Sequence, residues 1–461
     1  MIYFIGLIIV YFLHVLLKLH WKITLIMGLY MVFVIPLHKK SCLRAKNKQK
    51  RFFEVSLYLD TLLYAFVKEE KVDIAVKDVS LTLPDGMLKE LTKKAYEHIR
   101  MTFDETDVLE DALKIIEQEY PCERLKTVHQ FVTHVEYYGG EIANPVHLLL
   151  ADKGRWERRI KTEIVQRNKQ LVDIILSVVV SLFVCGAILN LPINDMDVSN
   201  ELWVQICSCL VIIFDDFVIY RAQRYLDVDW IGIQLTEEEE FFARKIEDYQ
   251  NYDEKKEGKK SIILGIIGGM FLVMAVLKGN EWLIFFMMVL TLFLFRQHKV
   301  GRYLEKKNLI KEIKYAFPNW LLDLVLLLQS ENVQVALQKS EEHVPGVLRK
   351  ELYILNERLE MEPEAANPYH QFLEGFDIPE VHAAMGILYS LSIGNSDNAD
   401  KQIGELIERN LTLLDTTETE LLRDAASGMY ALFLLPVVTA SFQLIAVMFF
   451  MLLRFVEMPA L

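Results

Sequence analysis

The chain has 461 residues, of which 52% are hydrophobic and 25% charged, with a formal net charge of −13. Length alone would divide into about three soluble domains, but the apolar residues are bunched into runs, which excludes an ordinary soluble protein. The acid sits in the polar segments while Lys and Arg gather beside the apolar runs, so the net charge does not mark an acidic protein.

The five cysteines are Cys42, Cys122, Cys185, Cys207 and Cys209. They lack zinc-finger or redox spacing, and their odd number argues against a disulfide framework. The N-terminus has no basic leader and no small-residue cleavage site, so it reads as a retained span. Residues 1–38 are predicted to form a transmembrane hairpin, from apolar runs at Ile2–Leu17 and Ile23–Leu37. Each run is short for a span of about 20 residues, and one span plus an interfacial segment is the alternative. His38 to Arg51 follows with seven Lys or Arg in 14 residues, a cytoplasmic marker that can also meet anionic lipid head groups. It carries no interleaved aromatics and no recognised module, so nucleic acid is not expected as a partner.

Residues 52–170 show helical spacing without useful period-two alternation, and are predicted to be a first cytoplasmic bundle of about six helices. Pro84 is expected to start a helix, and Gly139-Gly140 to end one. Residues 171–220 form a second hairpin, whose connecting loop PINDMDVSNE lacks Lys and Arg and is expected outside. Residues 221–261 are a cytoplasmic linker centred on a capped amphipathic helix at Thr236–Arg244. A third hairpin covers 262–295, a second cytoplasmic bundle 308–426, and a last span 429–453. The expected fold is an all-α membrane protein with about seven transmembrane helices and two homologous cytoplasmic helical bundles.

The homology is internal. Val72–Leu91 (VDIAVKDVSLTLPDGMLKEL) aligns without a gap on Val333–Leu352 (VQVALQKSEEHVPGVLRKEL), 261 positions on. Pro84 falls on Pro345, and Lys89-Glu90-Leu91 on Lys350-Glu351-Leu352. Leu59-Asp60 recurs as Leu322-Asp323, Pro121 as Pro379, and Gly139-Gly140 as Gly394. A repeat of this size means duplicated domains and not a solenoid.

Catalytic motifs are missing. The sequence contains no phosphate-binding loop ending in Gly-Lys-Ser/Thr, no nucleophile elbow and no His-Glu-x-x-His. His129 and His134 are five apart, off one helical face, and do not pair as metal ligands. No cofactor and no metal is expected. Asp215 and Asp216 lie within the apolar run CLVIIFDDFVIYR, where a charged carboxylate costs about 2.5–3.5 kcal/mol even on the mild scale. They read either as a polar contact between spans or a proton site, or as groups close enough to Arg221 and the cytoplasmic face to reach water. Gly265-x-x-x-Gly269, with Gly268 beside it, offers a small-residue face for another span. Asp60 and Asp323 each follow a core Leu, which suits either a half-buried structural pair or a partner-facing surface.

These residues resemble the F-domain family of type II secretion, the membrane platform proteins of type II secretion systems, type IV pili and tight-adherence pili. The resemblance is carried by AFPNWLLDLVLLLQ, VQVALQKS and YSLSIGNSDNADKQIGEL (Tyr389–Leu406) in the second copy. In the first it is carried by YLDTLLYAF, VDIAVKDV and YYGGEIANPVHLL (Tyr137–Leu149). The chain looks like two tight-adherence platform proteins fused. Family members usually carry Gly in the turn after the first helix of each domain, whereas here the turns are Lys68–Lys71 and Ser330–Asn332. The resemblance implies a non-enzymatic scaffold of the cytoplasmic membrane. Its implied partners are a hexameric secretion ATPase, pilin subunits, other pilus assembly proteins and membrane lipids, with a homo-oligomer also compatible. A membrane-anchored signalling or adaptor protein is the alternative, and a transporter a more distant one.

Overall fold

A computed structural model describes residues 2–101, 108–139, 142–190, 198–232, 245–246, 249, 254–277, 281–328, 331–341, 344–394 and 399–457. Among them there is no strand. Five helices are long and apolar enough to cross a membrane, and two shorter apolar helices cover Gly6–Leu16 and Ser261–Leu277. The predicted helix at Thr236–Arg244 lies outside the described residues, as does most of the loop after Asn190. The chain divides into two compact units, Met1–Glu136 with Leu149–Ile233 and Thr419–Leu461, and Tyr137–Leu148 with Gln234–Glu418.

In the first unit, α1 (Ile2–Leu16) turns back into α2 (Trp21–Glu69), a single helix of 49 residues. The composition changes at His38 but the helix does not. Ten of the 14 residues in the basic stretch are Lys, Arg, Ala, Gln or Leu, all strong helix formers, and Pro36 is the only proline inside α2. The first half of α2 exposes Leu25, Leu29 and Phe33 on its outside. The second half buries Phe52, Val55, Leu59, Leu62, Leu63 and Phe66, an i, i+3, i+4, i+7 stripe. Burying each such side chain contributes about 1.5–3 kcal/mol.

Against α2 pack α3 (Val72–Thr82), then α4 (Met87–Met101) on α3 and α5 (Val108–Glu119) on α4. Glu70 closes α2 at φ 54°, in the left-handed region where a glycine would sit without strain. Pro84 does not open α4 as predicted. It stands in the turn three residues earlier, directly after the extended cap Leu83. Pro379 does occupy a first helical position, and Pro345 is an N-cap. After α6 (Glu123–Tyr138), the 48-residue α7 (Ala143–Asn190) runs on into an apolar end, and α8 (Leu202–Arg224) returns. Leu13, Leu17, Met27, Cys185, Val204, Val211 and Val447 form one apolar cluster of the spans. Ala45, Ile174, Val218, Ala222 and Met429 form another. Outward-facing Phe183, Phe217, Phe433 and Phe449 leave an apolar exterior.

In the second unit, α9 (Glu254–Leu277) packs on α10 (Glu281–Leu327). The helices meet at Gly265 and Gly268, where an added Cβ would fall 2.6 Å from the Phe295 ring and 3.0 Å from Leu294. The glycine face therefore serves a contact within the chain. The end of α10 packs on α11 (Val333–Ser340) and α12 (Gly346–Met361). Then come α13 (Asn367–Gln371), a single 3-10 turn at Glu374–Phe376 and α14 (Pro379–Ile393). Phe317, Leu324, Leu337, Leu348, Tyr369 and Leu388 are fully buried here. Trp320 stacks on Phe372 and donates to Ser340 Oγ at 3.1 Å. The 59-residue α15 (Ala399–Glu457) begins in this unit, where Asn410 Nδ2 donates to the Pro318 carbonyl at 2.8 Å, and its apolar half belongs to the first.

Candidate functional site

The described residues contain no group of three or more His, Cys, Asp or Glu arranged to hold a metal ion. Their polar chemistry is concentrated instead in buried contacts that tie long helices together, most of those described below in the first unit.

Asp60 on α2 pairs with Lys153 on α7. Lys153 is itself buried and lies 2.5 Å from Glu157, which also accepts from Ser56 at 3.0 Å and pairs with Lys161. Burial works against the Glu157 charge. The two ammonium groups and the Ser56 hydroxyl outweigh it and hold the carboxyl down at about 2. Asp60 is thus part of a four-charge lattice crossing the bundle, its side chain 36% exposed. Asp323 is half-buried on α10 beside the fully buried Leu324 and has a polar partner of its own.

His129, set aside above as a metal ligand, is a buried connector. Its Nε2 lies 2.9 Å from the Tyr58 hydroxyl and its Nδ1 2.8 Å from Glu117 Oε1, linking α6 to α2 and α5. Burial drives its pKa below the ordinary histidine value, against the opposing pull of Glu117. Gly139 ends α6 at φ +73°, the left-handed cap that glycine allows. Gly394 also ends its helix but at φ −79°; there glycine is required because a Cβ would sit 2.8 Å from the Ser390 carbonyl oxygen. The two glycines terminate helices by different local geometries.

Asp215 and Asp216 point to different helices. Asp216 accepts from the Tyr30 hydroxyl at 2.8 Å and lies 3.2 Å from His38 Nε2. The other nitrogen of that ring is 2.8 Å from Gln223 Oε1. Asp215 is 1% exposed. Its Oδ1 is 2.9 Å from Thr439 Oγ1 of α15, which is also 3.1 Å from Ser181 Oγ of α7 and 2.8 Å from the Pro436 carbonyl. One turn further along α15, Gln443 donates to Ser208 of α8 at 2.9 Å. The partners that the structure gives the two aspartates are therefore residues of α2 and α15, with Ser181 of α7 joined through Thr439.

Arg167 has no counterpart in the sequence reading. It is 1% exposed, yet bonds Glu163 at 2.8 Å, the Tyr225 carbonyl at 2.9 Å and the Leu422 carbonyl at 3.0 Å. Its guanidinium lies 5.0 Å from the Trp230 ring centre. One side chain thereby joins α7, the turn after α8, and α15. Arginine next to an apolar run reads as an ordinary membrane-edge charge, so only the three-dimensional arrangement marks it. Gln205, also buried, plays a similar part at the other end of α8, accepting from the His20 amide at 2.9 Å and donating to the Lys18 carbonyl at 2.8 Å.

No known family model matches the sequence, and neither a curated protein nor a solved structure is significantly similar to it.

Proposed function

We propose that the chain is a membrane platform protein of a type IV pilus-like or type II secretion-like assembly machine. In this reading it is a non-enzymatic scaffold of the cytoplasmic membrane, which couples a hexameric secretion ATPase to the insertion of pilin subunits. Seven spans, counting the two shorter apolar helices, carry two duplicated cytoplasmic bundles at 52–170 and 308–426. The basic segments 38–51, 221–260 and 296–307 lie inside, and 192–201 lies outside.

The observation that carries the reading is the continuity of α2, α7, α10 and α15. Each is a single helix of 47 to 59 residues, apolar over one part of its length and entering a polar bundle in the other. A scaffold that passes movement from cytoplasmic domains to spans needs stiff connections of this kind, and an adaptor that merely holds partners does not. The internal repeat and the family resemblance of its segments add support.

Two experiments test it. Cysteine-accessibility labelling in intact cells should leave engineered positions in 60–160 and 320–420 unlabelled from outside; labelling there would sink the layout. Affinity capture of the full chain from its native membranes should recover a secretion ATPase, and its failure in crosslinked membranes would favour the adaptor alternative.

A further inference from the structure

The contacts around Asp215 contain more oxygen pairs than hydrogens to fill them. Thr439 Oγ1 lies within hydrogen-bonding distance of three oxygens: Asp215 Oδ1, the Pro436 carbonyl and Ser181 Oγ. The carbonyl and an ionised carboxylate are acceptors only. The two hydroxyls bring two hydrogens to three contacts. Thr439 cannot serve Asp215 and Pro436 at once, and Ser181 can supply only one more. The other carboxylate oxygen, Asp215 Oδ2, is buried without a hydrogen-bond partner.

We infer that Asp215 binds a proton on Oδ1 and stands in the span as a neutral carboxylic acid that donates to Thr439. The inventory then closes: Asp215 donates to Thr439, Thr439 to the Pro436 carbonyl, and Ser181 to Thr439. Oδ2 becomes an ordinary carbonyl oxygen with unused lone pairs, which an apolar interior tolerates far better than an unpaired charge.

Among the described residues, the groups around Asp215 supply no countercharge. α7 presents Ser181 and Cys185, and α15 presents Thr439 and Gln443, all uncharged groups. On α8 the neighbouring acid, Asp216, is engaged by Tyr30 and His38 of α2. The two adjacent carboxyls therefore divide the roles: Asp216 faces a basic partner, and Asp215 holds its own proton. The site is a proton-binding group at the meeting point of three spans. Its loss of that proton would place a bare charge where α7, α8 and α15 touch.

Infrared spectroscopy of the full chain in lipid at neutral pH tests this. The wild-type minus Asp215→Asn difference spectrum should contain the C=O stretch of one protonated carboxylic acid, and Thr439→Val should shift that band by removing its hydrogen-bond acceptor. Asn can donate to Thr439 as the neutral acid does, so Asp215→Asn should keep the wild-type thermal midpoint. A carboxylate stretch in place of the acid band would overturn the inference. So would a carboxylate band that moves when sodium is exchanged for potassium, which would mark a bound cation. Should Asp215→Asn not accumulate, the Thr439→Val spectrum alone decides, and the absence of any shifted acid band there counts against the proton.

Discussion

Replacing Arg167 by Met removes a buried charge but keeps much of the aliphatic volume. The substitution leaves the Glu163 carboxylate, 15% exposed, without its cation, and it deprives the Tyr225 and Leu422 carbonyls of their donor. Breaking a buried ion pair from one side costs about 3–5 kcal/mol. At about 1.4 kcal/mol per factor of ten, that cost corresponds to a local opening equilibrium shifted by two to three and a half decades. The loss should be local, because the apolar clusters of the spans do not include this side chain. Hydrogen exchange on the purified full chain reads it directly, since native-state exchange reports opening of individual segments. Amides at 225–232 and 419–426 should exchange at least a hundredfold faster, while those at 55–66 keep their protection. Arg167→Lys should recover only part of the effect, because one ammonium cannot meet Glu163, two carbonyls and the Trp230 face with the geometry of a guanidinium. Exchange within about threefold of wild type in both segments of Arg167→Met would refute the idea that this residue fastens α15 to α7.

Acid should destabilise the first bundle through His129: its folded pKa lies below the unfolded value, so its contribution is complete above about pH 6.5 and falls as the pH drops through that value. Thermal midpoints between about pH 7.5 and pH 5.5 should show this slope, and an equal slope in His129→Gln would assign it elsewhere. Within the charge lattice, Lys153→Met should cost about 3 kcal/mol because it removes the cation of Asp60 and leaves Glu157 with only Lys161 and Ser56. Asp60→Asn, at the more exposed end, should cost under about 1 kcal/mol, and chemical denaturation of the two variants should preserve that order. Asp323→Ala should destabilise the second bundle by about 1–3 kcal/mol by orphaning its partner. An unchanged melt accompanied by lost ATPase capture would instead make Asp323 a contact surface.

The helical stripes were legible because their spacing is set locally. Val72, Ala75, Val76 and Val79 declare a buried face by position alone, but on α2 the equally well spaced Phe53, Leu57 and Tyr64 are exposed, and the buried stripe is instead Phe52, Val55, Leu59, Leu62 and Phe66. Helix continuity across His38–Arg51 was hidden, because the shift from apolar to basic residues looks like a boundary although both halves favour helix. The partners of Asp215 were hidden for a different reason. Thr439 lies 224 residues away, and hydroxyls in an apolar run are too weakly polar to mark a span as charged. A signal was nonetheless present. Thr439 and Gln443 are four apart, and Ser208 and Asp215 seven apart, so each pair shares a helical face. Reading polar residues by face, instead of counting charges per run, would have placed α8 against α15. Pro84 misled because a proline before a helix can stand in the turn as readily as at the first helical position.

The unbroken course of α2 also fixes a phase. Its outer residues and its bundle residues are parts of one screw, with about 3.6 residues to the turn. Inserting one residue into Lys39–Arg51 would swing the Phe52–Phe66 stripe by about 100° relative to Leu25, Leu29 and Phe33. Two inserted residues would nearly reverse it, while seven would bring it back to within about 20°. The length of the basic stretch is thus restricted to discrete values even though its sequence of Lys and Arg is not. Substitutions along it can be silent where a single deletion is not.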